Sequence, residues 1–393
     1  MSVQRALFVV GVCVAMVFSR AVAASPDGTT TSGKTKPVRV VFLNPTTPAP
    51  EEVWWRTCTN FMQAAANDFG IELKVYYAGR SAAEIYRQAD EVLSSKEKPD
   101  FIVMQNMKAT APGIIKQAEA QGVKVFLFNS GLSDEEADGM GTPREKYPNW
   151  IGQMTPDDEA AGFDLAALLV KTAKKGRQTG REGKVEMLAL GGTISDTSAI
   201  ERNKGLIRYT RGHVSEVILN RERPLPADWD TEKAKVTLGA ALPAYPKTTA
   251  IWNANDKMAM GALDALASKL GKTPGKDVFV GGIDWNPENL AAVKSGTIAA
   301  TIGGHFMEGA WVMVLINDYT KGLDFAAKGV GGTIMKSQMS VISKDNVDKF
   351  EKSLGDRSLE KIEKIDFTQF SKVSKPGMKT YPFSLNAILS QLK

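Results

Sequence analysis

Residues 38–77 read VRVVFLNPTTPAPEEVWWRTCTNFMQAAANDFGIELKVYY, and the fold class follows from this stretch. Its first run, Val38–Leu43, is apolar apart from Arg39 and has the length of a strand. A strand that is apolar at consecutive positions, rather than at alternate ones, is buried on both faces, as in a parallel sheet covered by helices. Glu51–Phe69 then carries Trp54, Cys58, Phe61, Ala65 and Phe69 at helical spacing, so one stripe of an amphipathic helix faces a core. Ile71–Tyr77 returns to strand.

The same alternation extends along the chain. Helices are predicted at Ala82–Leu93 and Ala111–Ala120, with strands at Phe101–Gln105 and Val123–Phe128. After a polar, irregular stretch (Ser133–Pro148) the pattern restarts with a helix at Pro156–Thr172. Strands at Val185–Leu190, Ser215–Leu219, Ala250–Asn253, Val278–Ile283 and Ile298–Ile302 follow, separated by helices at Ser198–Tyr209, Thr231–Leu242, Asp256–Lys269 and Pro287–Ser295. A further helix is predicted at Phe306–Tyr319. Two successive runs of βα units predict an α/β protein of two similar doubly wound parallel-sheet lobes. Open α/β sheets bind ligands beyond the carboxyl ends of their strands, so two facing lobes make a cleft lined by strand-end loops.

Upstream, Ala6–Phe18 is apolar, follows Arg5 and precedes the small residues Ala21, Ala23 and Ala24. The apolar stretch is too short to span a bilayer, so residues 1–23 read as a cleaved signal peptide and residues 24–36 as a flexible leader. The expected location is the periplasm, without a lipid anchor, since no cysteine stands at the cleavage point. Cleavage takes the formal charge from +5 to about +3, too mild for nucleic acid or an anionic membrane surface as partner. It also leaves Cys58 without a second cysteine, so no intrachain disulfide is expected and the core alone holds the fold. The remaining ~370 residues suit two domains.

The strand ends and adjoining turns offer Trp54 and Trp55, Asn129 and Ser130, Arg202, Trp229, Asn255, Asp284 and His305. Planar polar groups pair with sugar hydroxyls and aromatic planes cover the C–H faces of the ring, so this set suits a small, polar, sugar-like ligand. Each residue also has an ordinary structural reading that spacing leaves open. Trp54 lies on the apolar stripe of its helix and fits a core as well as a cleft, whereas Trp55 lies one residue off it. Asn255 suits the N-cap of the helix starting at Asp256, Asp284 a turn or cap, and Arg202 a surface charge. With only His213 and His305 in the chain, a histidine-rich metal site is excluded. No cofactor is expected, and no Ser-His-Asp or Cys-His arrangement points to an enzyme. Leu190–Thr193 (LGGT) lacks the glycine spacing and lysine of a phosphate loop and reads as a tight turn.

Taken in order, Thr197–Gly205 (TSAIERNKG), Pro226–Asp230 (PADWD), Ala254–Leu263 (ANDKMAMGAL), Val280–Asp284 (VGGID) and Ala299–Ile302 (AATI) carry a family likeness. With them the chain resembles, from about Val38 to Gly304, the type I periplasmic sugar-binding proteins, the ribose- and galactose-binding receptors of ABC transporters. The resemblance implies that Trp54 and Trp55 are paired aromatics stacking on the ligand, with Trp229 as a third. It implies hydrogen-bonding roles for Arg202, Asn255 and Asp284. Asn129 and Ser130 stand in the place of an Asp-Arg pair, which removes a bidentate donor and a charge, so the pose seen in ribose receptors is not expected. His305 stands beside the place of a glutamine.

The same resemblance implies three chain crossings, near Ile151, Ile302 and Gly332. They would join an N-terminal lobe of residues 37–151 plus 303–332 to a C-terminal lobe of residues 152–302 plus 333–393, the latter ending in a tail from residue 345. The implied function is capture of a small-molecule ligand by a monomer, closure about the hinge, and delivery to an inner-membrane ABC permease. The alternative is a ligand-sensing subunit that presents its bound state to a sensor kinase, in a two-component or quorum-sensing system. Two-lobed repressors carry a DNA-reading headpiece where this chain carries the expected signal peptide.

Overall fold

A computed structural model describes residues 36–269, 271–328, 330–355 and 357–392. The expected signal peptide and all but the last residue of the leader lie outside the described residues. In the first half of the chain, β1 (Arg39–Asn44), β2 (Glu72–Tyr77), β3 (Phe101–Met104), β4 (Lys124–Phe128) and β5 (Trp150–Pro156) alternate with helices. These are α1 (Val53–Phe69), α2 (Ala82–Ser94), α3 (Ala111–Gln121) and the short α4 (Asp134–Met140). The second half contains β6 (Val185–Gly191), β7 (Val217–Leu219), β8 (Leu225–Pro226), β9 (Ala250–Asn253), β10 (Phe279–Ile283) and β11 (Ala300–Gly303). Its helices are α5 (Asp158–Lys175), α6 (Thr197–Gly212), α7 (Thr231–Ala241), α8 (Asp256–Lys269) and α9 (Pro287–Ser295). After α10 (Glu308–Thr320) come β12 (Ile334–Ser337), β13 (Ser340–Ser343), α11 (Val347–Leu354), α12 (Leu359–Ile362) and α13 (Leu385–Gln391).

Two sheets result. The first is parallel throughout, in the order β12-β5-β4-β3-β1-β2. The second runs β13-β11-β10-β9-β6-β7, with β8 also paired to β6 and β13 antiparallel to β11. Burial explains the unbroken apolar strands. Phe42, Val103 and Phe126 belong to one core cluster with Phe61 of α1 and Met313 of α10. Their neighbours Leu43, Ile102 and Leu127 belong to another, with Ile85 of α2 and Ile114 of α3. Consecutive strand residues thus face opposite, equally dry layers.

The crossings between sheets correct the boundaries expected from sequence. The first follows Pro156 rather than lying near Ile151, because β5 stays in the first sheet to its last residue. Gly152 and Gln153 interrupt the apolar pattern of that strand, and the bare Gly152 backbone lies under the Phe126 and Phe325 rings. The second crossing follows Gly303. The third lies between Ser337 and Ser340 rather than near Gly332, since β12 pairs with β5 and β13 with β11.

The tail is also not a simple extension of the second lobe. α11 packs on α9, but α12 and Phe367–Phe370 pack on α1, and Phe383 stacks on Trp311 of α10 with centroids 4.7 Å apart. Asp318 of α10 fastens it, accepting from Ser371 Oγ (2.5 Å), Lys372 N (2.7 Å) and Tyr381 Oη (3.0 Å).

Two glycines set the position of α6. A Cβ on Gly205 would stand 2.0 Å from the Glu159 carbonyl oxygen, and one on Gly162 2.0 Å from that of Arg202, so α5 and α6 touch backbone to backbone. Gly205→Ala is therefore expected to destabilise the protein by about 1–3 kcal/mol, read as a lower midpoint of urea unfolding; an unchanged midpoint would mean that the two helices can separate freely.

Candidate functional site

A cavity of about 380 Å³ lies between the two lobes, and all nine residues singled out from the sequence line it. On the first lobe, α1 begins soon after β1, which puts Trp54 and Trp55 in its first turn. Their rings meet edge-on at 4.7 Å. Trp55 continues onto Phe42 and Phe128, each 6.3 Å away, while Trp54 lies 4.8 Å from the His305 ring. Both indoles are therefore held by the core and still line the cavity, so the two readings open at the sequence level coincide. Among the described residues Trp54 Nε1 and Ser130 Oγ are buried without a hydrogen-bond partner. Asn129 follows β4 with φ 64°, a left-handed conformation that asparagine tolerates, and its amide donates to the Met154 carbonyl (2.9 Å).

On the second lobe Arg202 is the centre. It is not a surface charge: only 3% of it is exposed. Its Nε donates to Asp158 Oδ1 (2.7 Å) and its Nη1 to the Ala254 carbonyl (2.7 Å). Its Nη2 lies 3.3 Å from His305 Nε2. Arginine can only donate, so Nε2 accepts and the imidazole proton sits on Nδ1. The guanidinium carbon also lies 5.6 Å from the Trp229 ring. Trp229 in turn donates Nε1 to Asp196 Oδ2 (2.8 Å). The LGGT turn accommodates that indole, because any Cβ on Gly192 would fall 2.2 Å from it. Asn255 does cap α8, its Oδ1 accepting from Met258 N (2.9 Å). Its Nδ2 has no protein partner among the described residues and remains for the cavity.

Asp284 is presented by a turn of unusual geometry, with φ 138° at Asp284 and 63° at Trp285. Asp256 clasps that turn from inside, Oδ2 accepting from Asn286 N and Oδ1 from Thr301 Oγ1, both 2.8 Å. The Asp284 carboxylate stands 3.7 Å from Arg202 Nη1 and 3.5 Å from His305 Nε2, near both without a short bond to either. Burial pushes Asp284 and Asp256 above the ordinary carboxylate range; Arg202 pulls Asp284 back, and the bonds from Thr301 and the Asn286 amide pull Asp256 back. Burial, with Arg202 beside it, pushes His305 well below its ordinary value, so the ring is neutral.

The lobes meet around this cavity. Lys257 of the second lobe reaches Glu52 of the first (3.4 Å), which also holds Arg80 (2.9 Å). Thr197 Oγ1 donates to the Gly131 carbonyl (2.7 Å), and Lys204 pairs with Asp134 (3.3 Å). Sequence reading did not select these groups, nor Asp158 as the partner of Arg202. An acid in a first helical turn is ordinarily explained by the helix dipole, which hides a buried ion pair.

A sequence model of the periplasmic binding protein domain matches residues 40–323. The chain belongs to this family. Among its relatives, the ribose import binding protein of Salmonella typhimurium is 30% identical over 208 residues, which span 50% of this chain and 66% of that protein. The D-allose-binding periplasmic protein of Escherichia coli is 34% identical over 253 residues, 63% of this chain and 74% of its own length. A periplasmic sugar-binding protein from Pseudomonas fluorescens superimposes with a TM-score of 0.78 at 31% identity, covering 90% of this chain and 99% of that one. Family membership accords with the two-lobed α/β architecture.

Two substitutions separate support from function in this cluster. Asp158→Asn leaves the buried Arg202 without its main counter-charge and is expected to destabilise the protein by about 3–5 kcal/mol in urea unfolding. Asp284→Asn is expected to do the opposite in the unliganded protein. The native carboxyl keeps its proton to higher pH than the unfolded one, which ionises near pH 4. Between those values the native state binds more protons, so its stability falls as pH rises. Removing the carboxyl should therefore stabilise the protein by about 1–3 kcal/mol at about pH 8, and by less at about pH 5. A variant equally stable or less stable at the higher pH would contradict the assignment.

Proposed function

We propose that the chain is an extracytoplasmic solute-binding protein that captures a neutral sugar between its lobes and delivers it to an ABC permease. The observation that carries this reading is the convergence of Arg202, Asn255 and Asp284 from one lobe with Trp54 and Trp55 from the other on one cavity. Sugar hydroxyls are both donors and acceptors. Asp284 accepts from them, Arg202 and the Asn255 amide donate, and the indoles cover the apolar ring faces. Trp229 closes the ring from the second lobe, and Asn129 and Ser130 add uncharged contacts from the first. Among the charges around the cavity, Lys257 and Arg80 pair with Glu52 and Lys233 pairs with Asp228, which favours an uncharged ligand. The ribose, allose and sugar-binding descriptions of the relatives support the ligand class.

The signal-like N-terminus and the family support a periplasmic location. In this reading the protein acts as a monomer without catalysis. Bound ligand holds the lobes together at Glu52–Lys257 and Gly131–Thr197, contacts that the structure already makes, and the surface the two lobes then share is what the permease recognises. Stability measurements across pentoses, hexoses, polyols and purine nucleosides test it. A ligand at about 100 times its Kd should add roughly 2.7 kcal/mol to the stability of the protein. The best sugar's shift should vanish in Asp284→Asn and Trp229→Ala, with Kd raised about 100-fold or more. A sugar-induced shift of full size in both variants would move the site elsewhere, and steady turnover of the ligand would end the binding-only reading.

A further inference from the structure

The C-terminal tail reaches the cavity from behind. α11 packs on α9 and β13 of the second lobe, and α12 on α1 of the first, so the chain changes lobes once more between Leu354 and Leu359. Arg357 sits at this crossing and is 8% exposed, an uncommon place for a guanidinium. Its Nη2 donates to the Trp285 carbonyl. Its guanidinium carbon lies 5.0 Å from the Phe306 ring, just past the second crossing, and 5.8 Å from Phe350 of α11. Among the described residues Nε and Nη1 have no hydrogen-bond partner, so the Trp285 carbonyl is the contact that fixes its head group.

That carbonyl belongs to the residue after Asp284. Non-glycine residues rarely adopt the positive φ values of Asp284 and Trp285, and such a turn persists only when its surroundings over-determine it. The Asp284 amide donates to the Ile302 carbonyl (2.7 Å) and the Trp285 amide to Thr301 Oγ1 (3.3 Å), and three further restraints surround the turn: Asp256 on the Asn286 amide, the Ser340 carbonyl on Trp285 Nε1 (3.1 Å), and Arg357 on the Trp285 carbonyl. The third comes from the tail, outside the βα units that build the sheet. We propose that Arg357 is a positioning residue of the ligand site: it holds the Asp284–Trp285 turn from behind the cavity and so makes the tail a functional part of the hinge. This rests on the reading of the cavity as a sugar site.

The charged groups around Asp284 are Arg202 from α6, Asp158 from α5, Asp256 and Lys257 from α8, His305 at the second crossing, and Arg357 across the turn. Arg357 feels the charges of Asp256 and Asp284, so its loss removes a favourable charge from their surroundings as well as a restraint. Asp284 would then keep its proton to higher pH.

The test uses the full chain with Arg357→Met and Arg357→Lys beside the wild type. The Met variant should raise the Kd of the best-bound sugar about tenfold or more. It should also move the pH profile of affinity upward and speed hydrogen exchange at the amides of residues 284–286 in the unliganded protein. Lysine should restore part of each. A folded Met variant with wild-type Kd, pH profile and exchange overturns the proposal. If no sugar binds the wild type, the functional reading fails by itself, and exchange at residues 284–286 still decides the positioning claim. If the Met variant does not fold, the Lys variant decides: it keeps the charge and loses the planar fork, so exchange there as slow as in the wild type overturns the proposal.

Discussion

Burying a guanidinium between two helices and a strand end is costly unless its donors are matched, and the site of this protein is organised by the way Arg202 is matched. Arg202 meets it through Asp158, the Ala254 carbonyl and His305. Each partner comes from a different segment: the first turn of α5, the end of β9 and the crossing after β11. Removing a charge from water costs several kcal/mol, so these segments cannot drift apart without exposing or orphaning the arginine. Gly162 and Gly205 make the geometry possible by bringing the α5 and α6 backbones into contact. The same cation adds to the burial that keeps His305 neutral and opposes the proton that burial would place on Asp284.

The consequence is a carboxyl group beside one guanidinium, on a turn whose next carbonyl is held by a second. Arg202 faces Asp284 across the cavity and Arg357 holds the following carbonyl from behind, with Asp256 clasping the turn between them. None makes a short bond to the Asp284 oxygens, which leaves them free to accept from hydroxyls. A preorganised acceptor of this kind gives affinity by avoiding reorganisation on binding. It also implies that unliganded stability and ligand affinity oppose each other at this position.

Much of this was legible in the sequence because periodicity reports burial. Strands such as Phe101–Met104 are buried on both faces and read as apolar at every position, so the parallel lobes follow from pattern alone. β5 escaped because Gly152 and Gln153 break its pattern, and β12 and β13 because they are short and half polar; the crossings were misplaced with them. The residues at strand ends were legible as a set, since an α/β fold brings such ends together whatever their individual roles. Their state was not. Spacing could not show that Arg202 is buried, because its partner Asp158 is 44 positions away. Nor could it show that the tail returns to the first lobe, which depends on Asp318, an acid in a mostly apolar helix, meeting Ser371, Lys372 and Tyr381.

The central claim is that one sugar is held by both lobes at once, in the cavity that Arg202 organises. A crystal structure of the protein with its best-bound sugar tests that claim most directly. The account predicts a ring covered by Trp54 or Trp55 of the first lobe, with hydroxyls bonded to Asp284, Arg202 and Asn255 of the second. A sugar bound to one lobe only, or outside the cavity with the Arg202–Asp158–His305 cluster untouched, would contradict it.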